Sequence, residues 1–426
     1  MISAANASTT NHASVGPFVC GHHNSVLAAA SFAISVMIAG CQTVAPPAPA
    51  PVPTPAPVPA PPTAAPRPLF TPVAWTDLPG WSADPVAAAW PAFVIGCRAL
   101  LAEAKTRPLW QAPCAEKDKI DGRDSDAVRA FFAAHFSPYR IAAADGNDRG
   151  LVTGYYEPLL AGSRLITPQF MVPLFAPPDD LLTIDIADLY PELKDKRVRG
   201  RVVGKQVVPY WPRADLERNP APLAGKALVY VADPIEAFYL EIQGSGRIEF
   251  TDGSVIRLNY ADQNGHPYRS IGRVLIDRGE LPFERASMQG ISAWARANPE
   301  KLRALLDENP SYVFFREIPA PPPGSLDAAI DGPLGTLGVP LLAGRAIAVD
   351  ARAVPLGAPV FLATTMPLTA TPLARLTLAQ DTGGAIRGTV RADYFWGFGQ
   401  EAGREAGRMR QEGRMWLLWP KGAPLP

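Results

Sequence analysis

Two aspartates, Asp381 and Asp393, stand twelve residues apart in the stretch AQDTGGAIRGTVRADYFWGFG. Gly383, Gly384, Gly388, Gly397 and Gly399 surround them, and Tyr394-Phe395-Trp396 follows the second aspartate. Four chemistries could use such a segment. Phosphate binding needs a strand, a glycine-rich loop ending in Lys-Ser/Thr, and a helix. Here the glycines run into Arg387 and another strand-like run. A calcium loop needs oxygen ligands at alternate positions and a closing glutamate. The alternate positions after Asp381 are Gly383, Ala385 and Arg387, so no metal is expected. Nucleophilic catalysis would need a G-x-S-x-G elbow with a histidine further on. None occurs, and Gly244-Ser245-Gly246, with His266 downstream, reads as a glycine-rich turn.

Carboxylic acid chemistry remains. If Val390–Trp396 is a strand, Asp393 shares a face with Arg391 and Phe395, while Tyr394 and Trp396 point the other way. An aspartate among aromatic rings loses solvation, which raises its pKa. A carboxyl tuned in this way serves as a general acid near neutrality. Arg391 would oppose that shift if it paired with Asp393. A structural aspartate that bonds turn amides fits the same residues, and the residues alone leave both readings open.

The elements that must position these groups are legible in part. Asp84-Pro85 reads as an N-cap with proline at the first helical position. Val86, Ala89, Trp90, Phe93, Cys97, Leu100 and Leu101 then follow helical spacing. Ser125 is placed to cap a second helix running through Phe131, Phe132 and His135. From about residue 150 the texture changes to β-branched and aromatic runs broken by Gly, Asp and Pro: LVTGYYEPLL, ALVYVADPIEAFYLEIQGSGRIEF and SVIRLNY. Asp252-Gly253 is a hairpin signal. Helices are expected near residues 286–297 and after Asn298-Pro299, where Leu302, Leu305 and Leu306 share a face. Strands return in SYVFFRE, GRAIAVD, APVFLA, ARLTLAQD and GTVRADYFWGF. The class is mostly β with peripheral helices, barrel-like, without an internal repeat.

The chain has 426 residues, with Lys+Arg and Asp+Glu balanced at 40 each, so no basic excess draws it to nucleic acid. Val26–Ala39 is an uninterrupted small and apolar run, too short for a spanning helix of roughly 20 residues. It ends in Ile38-Ala39-Gly40-Cys41, which resembles the lipobox of bacterial lipoproteins, although no Lys or Arg precedes Cys41. The true start of the chain is left open by that missing positive charge. Residues 45–66 form a Pro/Ala tract that favours polyproline II. At about 3.1 Å per residue it could span roughly 70 Å. Of the two cysteines in the globular part, Cys97 and Cys114, either a disulfide or a buried free thiol is consistent with the sequence. The globular part holds two histidines, His135 and His266, without the cluster a zinc site needs.

Several longer segments point further. VTGYYEPLL (152–160), YLEIQGSGRI (239–248), NPSYVFF (309–315), the tract from PLGTLGVPL to AVDARAVPLGAPV (333–360) and the opening stretch occur in one order. Together they resemble the membrane-bound lytic murein transglycosylase A family. The C-terminal part resembles its three-aspartate (3D) domain, with the aspartates at Asp350, Asp381 and Asp393. The resemblance, over about residues 70–420, implies a double-psi β-barrel with a second β-barrel inserted in it. The expected layout is a signal peptide (1–40), a lipidated Cys41 with its linker (41–68), a catalytic barrel (69–157 and 309–426) and an insert (158–308). A glycan groove would lie between the two barrels.

The implied reaction is exo-acting cleavage of the MurNAc-β-1,4-GlcNAc bond of peptidoglycan, leaving a 1,6-anhydromuramoyl end. By motif match Asp393 is the catalytic acid and Asp381 its supporting neighbour. Thr153, Gly154, Tyr155, Gln243 and Ser245 are expected to bind sugar, and Asp350 borders that set in a more architectural role. No cofactor is expected. The implied partners are peptidoglycan glycan strands, outer-membrane lipid through the Cys41 acyl anchor, and other cell-wall enzymes. The implied location is the outer membrane, facing the periplasm. Two alternatives stand beside this reading. One is a murein hydrolase that pairs Asp393 with Glu157 or Asp381. The other is a non-catalytic peptidoglycan-binding lipoprotein.

Overall fold

A computed structural model describes residues 68–193 and 198–426. The signal-like run, Cys41 and the proline tract lie outside the described residues. Strand β1 (Leu69–Pro72) pairs antiparallel with β2 (Phe136–Ala142). Helices α1 (Trp90–Ala102), α2 (Arg107–Glu116) and α3 (Ser125–His135) fill the connection. Two caps differ from expectation. Asp84 does not start a helix. Its carboxylate is buried, accepting from both Arg345 terminal nitrogens at 2.9 Å and from the Leu376 amide at 2.7 Å. A buried charge needs such saturation, and that demand outweighs a cap. A 3-10 turn over Val86–Ala89 lets Asp84 face inward, and α1 begins only at Trp90. Asp124, one residue before Ser125, caps α3 by accepting from the Asp126 amide at 2.8 Å. Cys97 on α1 and Cys114 on α2 form a disulfide, which resolves the alternative that the sequence leaves open.

After β3 (Gly150–Glu157) the chain leaves for a second sheet. It runs through β4 (Leu159–Ser163), β5 (Val172–Phe175), β6 (Leu182–Thr183), β7 (Arg199–Val203) and β8 (Gln206–Pro209). Then come α4 (Arg213–Arg218), β9 (Ala227–Val231), α5 (Pro234–Gln243), β10 (Ser245–Glu249) and β11 (Val255–Gln263). Helices α6 (Ile271–Asp277), α7 (Met288–Ala297) and α8 (Pro299–Leu306) precede β12 (Val313–Ile318). The order is β12-β11-β10-β4-β9-β5, with β6-β7-β8 as a separate small sheet. The expected hairpin turns at Asp252-Gly253, where Gly253 has φ +80°.

One segment reads as strand and folds as helix. In DPIEAFYLEIQG, Asp233 caps α5 by accepting from the Ile235 amide at 2.9 Å, and Pro234 takes the first turn. Gly244, at φ +78°, ends the helix in the left-handed region. Ile235, Phe238 and Tyr239 repeat at i, i+3 and i+4 and bury one face.

The chain returns through α9 (Leu326–Ile330), β13 (Ala346–Val349), β14 (Pro359–Thr365), β15 (Pro372–Asp381), β16 (Arg391–Phe398), α10 (Gly399–Arg408) and β17 (Arg410–Pro420). The first sheet runs β1-β2-β17-β14-β15-β13-β16-β3, and β17 also pairs with β3. That last pairing closes six strands, β17-β14-β15-β13-β16-β3, on themselves. Ile347, Val349, Leu376, Ala392, Met415 and Leu417 are among the residues buried within this part of the molecule. The parallel pairs β13/β15 and β16/β3 bring the site segments together.

Candidate active site

Asp393 sits on β16, opposite Thr153 of β3 on one side and Ala348 of β13 on the other. Ala348 is also in register with Asp381 of β15. One strand therefore separates the aspartates, and at about 4.8 Å per strand their Cα atoms stand roughly 10 Å apart. Tyr155, two residues beyond Thr153, packs its ring against Phe395 at 5.1 Å. Tyr394 instead packs edge-on to Trp396 at 5.2 Å. The alternation read from the sequence thus holds along β16.

The two carboxyls are held very differently. Asp381 accepts four hydrogen bonds: from the Thr336 amide (2.9 Å), the Thr336 hydroxyl (2.8 Å), the Thr382 amide (2.9 Å) and the Tyr155 hydroxyl (3.2 Å). Asp393 accepts one, from the Thr153 hydroxyl at 2.5 Å. Arg391 does not meet Asp393 directly. Its Nη2 donates to Thr153 Oγ1 at 2.8 Å, so the guanidinium reaches the acid through Thr153.

Burial pushes Asp393 up to about 6, against the Thr153 hydrogen bond and the Arg391 charge; the Asp381 charge adds to the rise. Burial also raises Asp381, but the Thr336, Thr382 and Tyr155 donors oppose it. In such a pair the better-solvated carboxylate takes the charge and its neighbour keeps the proton. Asp381, with four donors, is the charged member. The Tyr155 hydroxyl is raised by burial and then by both carboxylates, so it remains a donor.

The remaining predicted residues fall into other places. A Cβ at Gly154 would lie 2.6 Å from Trp396 Nε1 and 2.9 Å from Ala406 Cα, so this glycine lets α10 rest on β3. Gln243 Oε1 accepts from the Tyr156 amide at 3.1 Å, next to Tyr155. Ser245 begins β10 and is buried. Asp350 is pushed up by burial, but the Arg352 guanidinium and the Gly388 and Arg352 amides bring it down to about 2. It accepts from the Gly388 amide at 2.9 Å, which pins the loop joining the two site aspartates. Gly388 has φ +117° there, a conformation that favours glycine.

Glu157, the other carboxyl named for a hydrolase, lies on β3 four residues beyond Thr153; burial raises its pKa against the Arg247 charge, and its Oε1 has no hydrogen-bond partner among the described residues. It is 1% exposed and accepts from Arg247 Nε at 2.9 Å, within a network that includes Asp331 and Arg257. The sequence reading missed Thr336. It lies inside the quoted tract PLGTLGVPL, but nothing local marks it as a donor to Asp381.

A partly buried carboxyl of raised pKa, oriented by a hydroxyl beside a second carboxylate held by four donors, is an arrangement suited to general acid catalysis. Residues 151–316 match the MltA specific insert domain, and residues 345–419 match the 3D domain. Membrane-bound lytic murein transglycosylase A of Escherichia coli (strain K12) is 32% identical over 317 residues, covering 71% of this chain and 73% of that protein. The crystal structure of MltA from Neisseria gonorrhoeae in its monoclinic form aligns with a TM-score of 0.71 at 39% identity, covering 84% of this chain and 94% of that one. E. coli MltA with bound chitohexaose aligns with a TM-score of 0.60 at 27% identity, covering 83% and 95% of the two chains. The chain belongs to the membrane-bound lytic murein transglycosylase A family.

Proposed function

We propose that this protein is a lytic murein transglycosylase that cleaves the MurNAc-β-1,4-GlcNAc bond of peptidoglycan in cell-wall turnover. The observation that carries the reading is Asp393, partly buried, raised to about 6 and held by a single hydroxyl donor within the segment that matches the 3D domain. Asp381 is engaged by four donors, and Glu157 is buried against Arg247. A glycosidase that uses water or an enzyme nucleophile works with two carboxyls. One suffices when the substrate supplies the nucleophile. Asp393 gives its proton to the glycosidic oxygen as the bond from that oxygen to muramic C1 breaks. The C6 hydroxyl of the same sugar attacks C1 and returns its proton to Asp393. No water is consumed, and the product is a 1,6-anhydromuramoyl end. Holding the nucleophile on the sugar removes the cost of a bimolecular encounter.

The likeness to a chitohexaose-bound structure supports a β-1,4-linked glycan as ligand. In this reading the closed six-stranded ring is a double-psi β-barrel, and the second sheet belongs to an inserted β-barrel domain. The expected insert, 158–308, is supported by the strands that leave the first sheet after Glu157. The pairing of β12 with β11 favours extending it to Ile318. Gln243 and Ser245 bind sugar from the insert side, Tyr155 orients Asp381, and Gly154 and Asp350 shape the site. Cys41 carries the lipid that anchors the protein to the outer membrane. The Ile38-Ala39-Gly40-Cys41 motif supports the lipid anchor, and relatives named membrane-bound support a membrane association. Mass spectrometry of murein digested by the purified protein tests the reaction: anhydromuramoyl ends are expected, and reducing ends alone would turn the assignment to a hydrolase. Labelling with radioactive palmitate tests the anchor: a Cys41→Ser variant is expected to lose the label and the membrane association.

A further inference from the structure

The hydroxyl of Thr153 is committed to protein partners. A threonine hydroxyl has one hydrogen to give, and a guanidinium nitrogen can only donate. The Arg391 Nη2 contact at 2.8 Å therefore fixes Thr153 Oγ1 as acceptor on that side. Its single hydrogen is left to point at Asp393 Oδ1, 2.5 Å away. Arg391 is itself held, donating through Nη1 to the Leu151 and Ala392 carbonyls at 3.3 and 2.5 Å. An Oδ1 that accepts from Thr153 cannot carry the acid proton in the same line. The proton then belongs on Oδ2.

We propose that Thr153 and Arg391 act as a positioning pair that selects Oδ2 of Asp393 as the proton-transferring oxygen. The inference rests on the transglycosylase reading for its consequence, but its geometry belongs to Asp393 whatever the product. The pair serves both halves of the reaction. While Asp393 is protonated, Thr153 holds the carboxyl plane so that Oδ2 faces one direction. Once the proton has left, the same hydroxyl steadies the carboxylate until the C6 hydroxyl returns a proton. Neither Thr153 nor Arg391 exchanges a proton with substrate.

Each packed element contributes a known group near Asp393. Thr153 and Tyr155 come from β3, Asp381 comes from β15, and Arg391 comes from its own strand. On β13 the facing residue is the uncharged Ala348. Removing Thr153's donation favours the protonated acid, so Asp393 must titrate higher. Losing the Arg391 cation acts in the same direction. Activity that needs protonated Asp393 falls as pH rises through its pKa, so both changes move that alkaline limb to higher pH.

The test measures kcat, KM and product identity against pH on soluble murein for the wild type, T153V, T153S and R391M. Melting curves accompany each variant. T153V is expected to lose about ten- to hundredfold in kcat, the scale of one hydrogen bond to a charged group. Its KM should stay near wild type, and its alkaline limb should rise by about one pH unit. T153S, which keeps the hydroxyl, should restore both. R391M should raise the limb even though Thr153 is intact. A T153V enzyme with wild-type kcat and limb would overturn the proposal. So would T153V and T153S impaired alike at an unchanged limb, since that is the mark of a packing role. If T153V fails to fold, the limb of R391M decides. Reducing ends from the wild type would overturn the transglycosylase reading and leave the positioning pair to be judged on the limb alone.

Discussion

At the scale of residues the site depends on unequal treatment of two aspartates. Asp393 is partly buried with one donor, whereas Asp381 is given four. Asp393→Asn is expected to lower murein lysis by about 10²- to 10⁴-fold, the usual worth of a general acid, with glycan binding retained in a pull-down on murein. The same variant should be more stable than wild type above pH 6. With Asp393 at about 6 when folded and 3.8 in the unfolded chain, ionising this partly buried acid costs at most on the order of 2–3 kcal/mol at neutral pH. That gain should shrink as pH falls from 6 toward 4, because the native acid is then protonated anyway. Thermal melts of the two proteins across that range check it. Asp381→Asn should act on pH in the opposite sense to Thr153→Val. Without the neighbouring charge, Asp393 loses its proton at lower pH, so the alkaline limb moves down.

At the scale of elements, sequence and structure agree where the signal is local. The alternation along residues 390–396 gives the correct faces of β16, and Asp252-Gly253 gives a real hairpin. They part where a long-range demand intervenes. Asp84 has the composition of a cap, but Arg345 lies 261 residues away in sequence and claims the carboxylate. Replacing Asp84 with Ala would leave the Arg345 cation buried without its partner. A loss of about 3–5 kcal/mol is expected, measured by denaturant unfolding. Helix α5 was legible in principle. Asp233-Pro234 and Gly244 bracket it, but the apolar content of PIEAFYLEIQ hides its period among strands. Gly154→Val should also destabilise by about 1–3 kcal/mol, because Trp396 and Ala406 occupy the space that a side chain would need.

At the scale of the whole molecule, composition and pattern reach the mostly β class and the helices outside it. They cannot reach the strand order. The site exists because β3 pairs with β16 and β17, more than two hundred residues later in the chain. That pairing sets Thr153 against Asp393, and no spacing in the sequence records it. The excursion between β3 and β13 carries the second sheet, so the site barrel is completed only when the C-terminal strands return. The disulfide Cys97–Cys114 ties two helices that pack beside that barrel. By loop closure it contributes about 3 kcal/mol.

The central claim is that Asp393 works as a lone acid on a sugar that supplies its own nucleophile. Mass spectrometry of murein fragments, digested in oxygen-18 water, tests it most directly. The account predicts muropeptides one water lighter than their reducing counterparts and free of the heavy isotope at the muramic end. Reducing ends that carry oxygen-18 would contradict it, because water would then have attacked C1.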